Sequence, residues 1–319
     1  MLFRSAARWV NKGDLQSFYK SWNFMENGNP NQKVDIVILG DGYTQAEMEK
    51  FHKDVERLAG ELFKVEPFKS RKTDFNVRAV ETPSAVSGVS RPHAGIFKRT
   101  PLSTHYSSFD SERYVLSYDN RTIRDVASTV PYDYMFILIN ERTYGGGGIF
   151  NLYSTVASDN KFSDYIFVHE FGHSFAGLAD EYYSSAVAYE IPAITSEPWE
   201  ANITAFLDKD KVKWSGLITA GTPIPTPWDK EKFDKFSYEI QKERVVIRST
   251  QQPEEVMEAL FERERKHETE LLDNMQYSKC VGLFEGAGYN QFGMYRGYPD
   301  CIMFTDRKST RLNSSHRIR

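Results

Sequence analysis

Cysteine is scarce. Only Cys280 and Cys301 occur in 319 residues, too few for a zinc ribbon or a dense disulfide framework, and the sequence neither requires nor forbids one bridge between them. An excess of positive charge is also missing: 40 lysines and arginines stand against 44 aspartates and glutamates, a formal charge of −4. Without a basic footprint, nucleic acid and anionic membrane drop out as main partners. Long hydrophobic runs are absent too. Val34 to Leu39 and Tyr134 to Ile139 are strand-sized, well short of the roughly 18 apolar residues a membrane span needs. The first ten residues contain Arg4 and Arg8 and no continuous apolar stretch, so they do not read as a secretion signal.

What is present suits a packed domain: 40% hydrophobic, 14% aromatic and 26% charged residues are enough to bury a core. Val34 to Gly40 is β-branched and leaves through Gly40-Asp41-Gly42, the pattern of a buried strand ending in a tight turn. The turn lacks the third glycine of a dinucleotide loop and the Walker lysine, so it is not assigned to phosphate binding. Thr44 is expected to cap a helix whose apolar residues from Met48 to Leu62 fall at spacings of three and four. Phe75 to Val80 reads as a second strand and Tyr132 to Ile139 as a third, so strand and helix alternate in an α/β layer. Residues 81–120, rich in Ser, Pro, Gly and Tyr, read as a long surface excursion. Gly145 to Gly148 followed by Ile149 to Tyr153 suits an edge strand that lies close to something else. Residues 184–230 show little periodicity, and Glu254 to Asn274 predicts a highly charged helix, solvated on much of its surface. The last thirteen residues, Arg307 to Arg319, are basic and without acidic residues. They resemble the translated adapter tails of assembled reading frames and are set apart from the fold.

Chemistry concentrates in one helix. Within Phe162 to Ala176 stands His169-Glu170-Phe171-Gly172-His173. The i, i+4 spacing puts both imidazoles on one face, where they can hold one divalent cation, zinc being the usual choice for two histidines and an oxygen. Glu170 stands beside that position, where a carboxylate can take a proton from metal-activated water and pass it to a leaving amine. Tyr165 to Val168 and Phe171 make the surroundings apolar, and buried imidazoles without partners are costly. A catalytic zinc has three protein ligands. The helix is expected to end at Gly177, where a left-handed residue reverses the chain and can bring Asp180 back under the metal. Glu181 competes for that role, with Glu190 and Glu197 as more distant choices.

The stretch His169 to Tyr183 resembles the active-site region of the immunoglobulin A peptidase family of zinc metallopeptidases. Asp35 to Thr44 and Gly282 to Tyr289 are similar to the same family. The resemblance implies a zincin-like catalytic domain of metzincin character over residues 31–306, α/β (α+β) in class. Its parts would be a mixed twisted sheet, the His169 helix across the middle and an irregular lower half. Residues 1–30 are then a lead-in from a missing upstream domain. It implies Zn2+ as cofactor, held by His169, His173 and Asp180, a protein or peptide substrate, and Glu170 as general base and acid of an endopeptidase. Gly177 follows His173 by four residues, one more than in metzincins, so the third ligand stays open between Asp180 and Glu181. Met303 in Cys301-Ile302-Met303 is expected beneath the metal. Gly147 to Tyr153 is expected to pair with an extended substrate, and Tyr289 or Tyr295 to donate to the oxyanion, with Glu285 nearby. Family members are typically exported, so action outside the cell or at its surface is expected. The resemblance carries a reaction class, not an antibody substrate. A non-catalytic zinc-containing surface binding module is the alternative, against which the intact Glu170 argues.

Overall fold

The computed structural model describes residues 19–185 and 193–305. The first residues, Glu190 and the Arg307 to Arg319 tail lie outside the described residues. Nine strands and five α-helices are described: β1 (Ser21–Met25), β2 (Val34–Asp41), α1 (Met48–Leu62), β3 (Phe75–Val80), α2 (Asn120–Ala127), β4 (Tyr134–Ile139), β5 (Gly146–Ile149), β6 (Tyr153–Ala157), α3 (Ser163–Ala176), β7 (Ile203–Thr204), α4 (Lys230–Ser249), α5 (Glu254–Asp273), β8 (Phe284–Ala287) and β9 (Asn290–Arg296). The expected mixed α/β architecture is present. Six strands form one sheet in the order β1-β3-β2-β4-β6-β5, and β7-β9-β8 form a small second one. Strands β3, β2, β4 and β6 run parallel, and β1 and β5 close the two edges antiparallel.

Strands buried on both faces read as continuous apolar runs, and β2 does so. Ile36 and Ile38 pack with Phe51 of α1 and with Phe167 and Phe171 of α3, while Val37 and Leu39 face Val126 of α2. Thr44 heads a capping box, its side chain paired with Glu47, which starts a short 3-10 turn that runs into α1. Among the described residues, no helix is long and apolar enough to cross a membrane.

Several expectations need correction. Ser21–Met25, placed in a lead-in, pairs with β3 and belongs to the main sheet. Residues 81–120 do not simply run over the surface: Val89, Leu102, Tyr106, Val115 and Leu116 are buried in the second core. That excursion is tied down by Asp41, whose carboxylate accepts from Thr100 Oγ1 (2.8 Å), Thr104 Oγ1 (2.6 Å), Thr104 N (3.0 Å) and Leu102 N (3.2 Å). A buried carboxylate must be satisfied this way, and here the loop supplies the donors. Tyr153 opens β6, a separate strand inside the sheet, and only Gly146–Ile149 forms the edge. α4 was not foreseen. It packs against α5, which buries Met257, Leu260, Phe261 and Leu272 and is therefore less solvated than its charge suggested.

Candidate metal centre

α3 is buried on nearly every side, through Ile166, Phe167, Val168, His169, Phe171, Gly172 and Ser174, as expected for a core helix rather than a surface one. Phe167 stacks on Phe136 of β4 with ring centroids 3.9 Å apart. Burial of each such ring contributes roughly 1.5–3 kcal/mol, which fixes the helix against the sheet. Ser154 of β6 adds a polar anchor, its hydroxyl donating to the Glu170 carbonyl at 2.9 Å.

The end of α3 is set by Gly177, with φ +60°. Its N–H donates to His173 O (3.0 Å) and Leu178 N donates to Gly172 O (3.3 Å), closing the helix through a left-handed residue. A Cβ at Gly177 would also lie 2.8 Å from the Trp199 ring. The reversal returns Asp180 to the imidazoles. His169 Nε2 lies 3.0 Å and His173 Nε2 3.2 Å from Asp180 Oδ1, and the two Nε2 atoms are 3.1 Å apart. Each Nδ1 faces a carbonyl, His169 at 2.9 Å from Ile302 O and His173 at 2.6 Å from Leu178 O. Carbonyls accept only, so both Nδ1 atoms are donors and both Nε2 lone pairs turn inward.

Two nitrogen lone pairs and a carboxylate oxygen aimed at one point repel unless a cation stands among them. Ligands about 2.0–2.1 Å from one tetrahedral ion are about 3.3 Å apart, close to the sides of this triangle. The donor set thus fits a metal. His169, Glu170 and His173 also group their ligand atoms within 4.8 Å of one another, but Glu170 leaves the tighter triangle to Asp180. Without a cation a proton serves: burial acts to lower the His173 imidazole, yet Asp180 and Glu170 outweigh it and raise it to about 9. Burial likewise acts to raise Asp180, and the two imidazoles hold it well below the usual carboxylate range.

The remaining expected residues divide clearly. Glu181 turns away: its carboxylate accepts from Asn202 Nδ2 (3.1 Å) and Cys301 Sγ (2.9 Å). Cys301 and Cys280 are both free thiols. Glu197 serves Thr204, Ala205 and Lys213 instead. Met303 is fully buried under α3, its Sδ 3.0 Å from where a Cβ on Gly172 would stand. Tyr289, at φ +62°, donates its hydroxyl to Asp180 Oδ2. Tyr295 does not line the cleft and packs on Phe206 in the small sheet, while Glu285 accepts from Gly293 N at 3.0 Å.

The profile of the family described as IgA Peptidase M64 matches residues 23–317. The chain belongs to that family. It is therefore a peptidase, a hydrolase of protein or peptide substrates. No curated protein matches the chain.

The candidate metal centre opens into a cleft of about 770 Å³ lined by β5, α3, α4, α5 and the Gly288–Asn290 turn, a size ordinary for a ligand site. Glu170 lies directly beneath β5: its carboxylate oxygens come within 3.1–3.3 Å of Cβ positions built on Gly146 and Gly148. Those glycines were expected to admit a substrate, and they also admit α3 itself. Burial raises the Glu170 carboxyl above its usual value, only partly offset by His169 and His173. Sequence reasoning missed Tyr165, whose hydroxyl lies 3.1 Å from His169 Nδ1. Its i, i+4 spacing to His169 was the available signal. The Ile302 and Leu178 carbonyls carried no signal, because backbone groups have none.

Proposed function

We propose that this peptidase is zinc-dependent, with His169, His173 and Asp180 as the metal ligands and Glu170 as the group that moves protons. The observation that supports it best is the convergence of three lone-pair donors, each nitrogen locked from behind by a backbone carbonyl. A zinc ion held by these three residues would supply Lewis acidity, lowering the pKa of water toward about 7.

The chain's own groups do the rest. The Glu170 carboxylate accepts the proton of the attacking water and delivers it to the departing amine nitrogen, a double role suited to a carboxyl raised by burial. Gly148 offers backbone hydrogen bonds that align an extended peptide. Tyr289 is assigned to the site as a positioning residue that holds Asp180; the expected role as oxyanion donor requires its hydroxyl to leave that carboxylate. Action outside the cell or at its surface follows from the family resemblance.

The test is metal content and peptide turnover of the purified chain beside Glu170→Ala and Asp180→Ala. The reading expects about one zinc per chain, retained with loss of turnover in Glu170→Ala and weakened in Asp180→Ala. A folded, reconstituted chain that takes up no zinc overturns it, as does undiminished turnover in Glu170→Ala.

A further inference from the structure

We propose that the cleft receives a carboxylate of the substrate, held by Arg244 and Arg113 at the closed end of the β5 edge. The proposal deepens the zinc-peptidase reading and rests on it for where the scissile bond lies, though not for the carboxylate contact itself.

The edge strand is not open along its length. Ala157 N donates to Gly145 O at 3.0 Å, so by antiparallel alternation Gly147 bonds inward to β6 while Gly146 and Gly148 point their backbone groups outward. At Gly146 those groups are taken: its N–H donates to Arg113 O (3.1 Å) and its carbonyl accepts from Val115 N (3.3 Å). Residues 113–115 thus cap the edge, and a peptide laid along β5 must end or turn away there. Laid antiparallel to β5, its C-terminal side faces that cap.

Two guanidiniums stand at this end. Arg244 of α4 and Arg113 both line the cleft. Among the described residues, Arg244 has one hydrogen bond, to Gln241 Oε1 at 3.2 Å, and a face contact with Phe261 at 4.9 Å. No carboxylate oxygen among the described residues forms an ion pair with it within 4.0 Å. Five N–H donors with one acceptor leave a fork suited to a planar carboxylate. Arg113 lies over Tyr114 (5.1 Å) and 5.8 Å from the Tyr182 ring centroid, and it lines the same cleft as Glu170.

The two arginines also feel each other: burial and then the charge of Arg113 lower Arg244, against the pull of Glu264. An anion between them relieves that repulsion. Glu264 shares the wall and answers it incompletely, since burial raises its carboxyl to about 7 despite the attraction of Arg244 and Arg263. A C-terminal carboxylate and an acidic side chain offer the same chemistry to the fork.

Binding to the zinc-loaded Glu170→Gln chain separates this contact from turnover. The probes are N-terminally dansylated pentaalanine as the free acid, as the C-terminal amide, and as the amide with one alanine replaced by aspartate. The free acid, the aspartate amide or both should bind at least about tenfold tighter than the plain amide, the yield of one charge-assisted hydrogen-bond pair. Which of the two gains identifies the carboxylate's source. Arg244→Gln in the same background should erase the preference, and Arg244→Lys should restore part of it. Equal affinity for all three probes, or binding of none, overturns the proposal. Because that comparison uses unaltered arginines, it stands even if an arginine variant fails to fold. Preference for a carboxylate in a chain whose native form cleaves no peptide would sink the zinc-peptidase reading alone, and cleavage without preference would sink this one alone.

Discussion

Replacing Gly148 by alanine puts a methyl group 2.5 Å from the Glu170 carbonyl oxygen and 2.8 Å from His173 Cβ. Neither neighbour is the end of a flexible side chain; both belong to α3, pinned by its aromatic packing. Either β5 or α3 must move. Overpacking of a tight core costs about 1–3 kcal/mol, and with main chain as the obstacle the upper end applies, about 3 kcal/mol. In a domain of this size that is roughly 4–6 °C in melting temperature. The displaced groups are Glu170 and His173, so peptide turnover should fall about 100-fold, the scale of a 1 Å misplacement at a reacting centre. Two controls isolate the cause. Alanine at Gly147 meets the Leu116 Cδ2 methyl at 2.8 Å, which can rotate aside, so the cost should stay below about 1 kcal/mol. Alanine at Gly60 within α1 meets nothing within 4 Å and should stabilise by about 0.5–1 kcal/mol. Thermal denaturation with a peptide assay on the three variants decides. Gly148→Ala melting within 1 °C of the parent, with unchanged turnover, would refute the close-approach argument.

Met303 is fully buried beneath Gly172, so Met303→Ala should cost about 2–5 kcal/mol in chemical denaturation, while Met303→Leu should lose under about 1.5 kcal/mol. Equal losses for the two would show that the sulfur, not the volume, matters. Glu47 is held at about 2: burial works against this, but bonds from Thr44, Ser87 and Asn140 prevail. A carboxyl lowered on folding stabilises above its ordinary value near 4.5, and that contribution disappears as pH falls from there toward about 2. Glu47→Gln should therefore be less stable than the parent at pH 7, by about 1 kcal/mol after solvent screening, with the gap closing near pH 2. A gap independent of pH would mean that the amide's altered hydrogen bonds, not the charge, set the difference.

Local pattern determined a good deal. The apolar runs at β2, β3 and β4 and the spacing of three and four in α1 and α3 are properties of neighbouring residues, so those elements are legible in the chain. His169, Glu170 and His173 share one helix, and Gly177 announces its end; the convergence of Asp180 follows from a local reversal. What the sequence left undecided depends on residues far apart. Asp180 faces the imidazoles because Glu181 is claimed by Asn202 and Cys301, partners 21 and 120 positions away. The loop of 81–120 is fixed by Asp41, and the glycines of β5 are explained by α3 lying against them. α4 shows too weak an apolar period to be seen alone, yet it pairs with α5 and carries Arg244 to the cleft. Short-range periodicity encodes elements and a two-histidine motif. Only packing decides which carboxylate turns to the imidazoles and which charges line the cleft, because those choices are made by desolvation and by partners that no local spacing brings together.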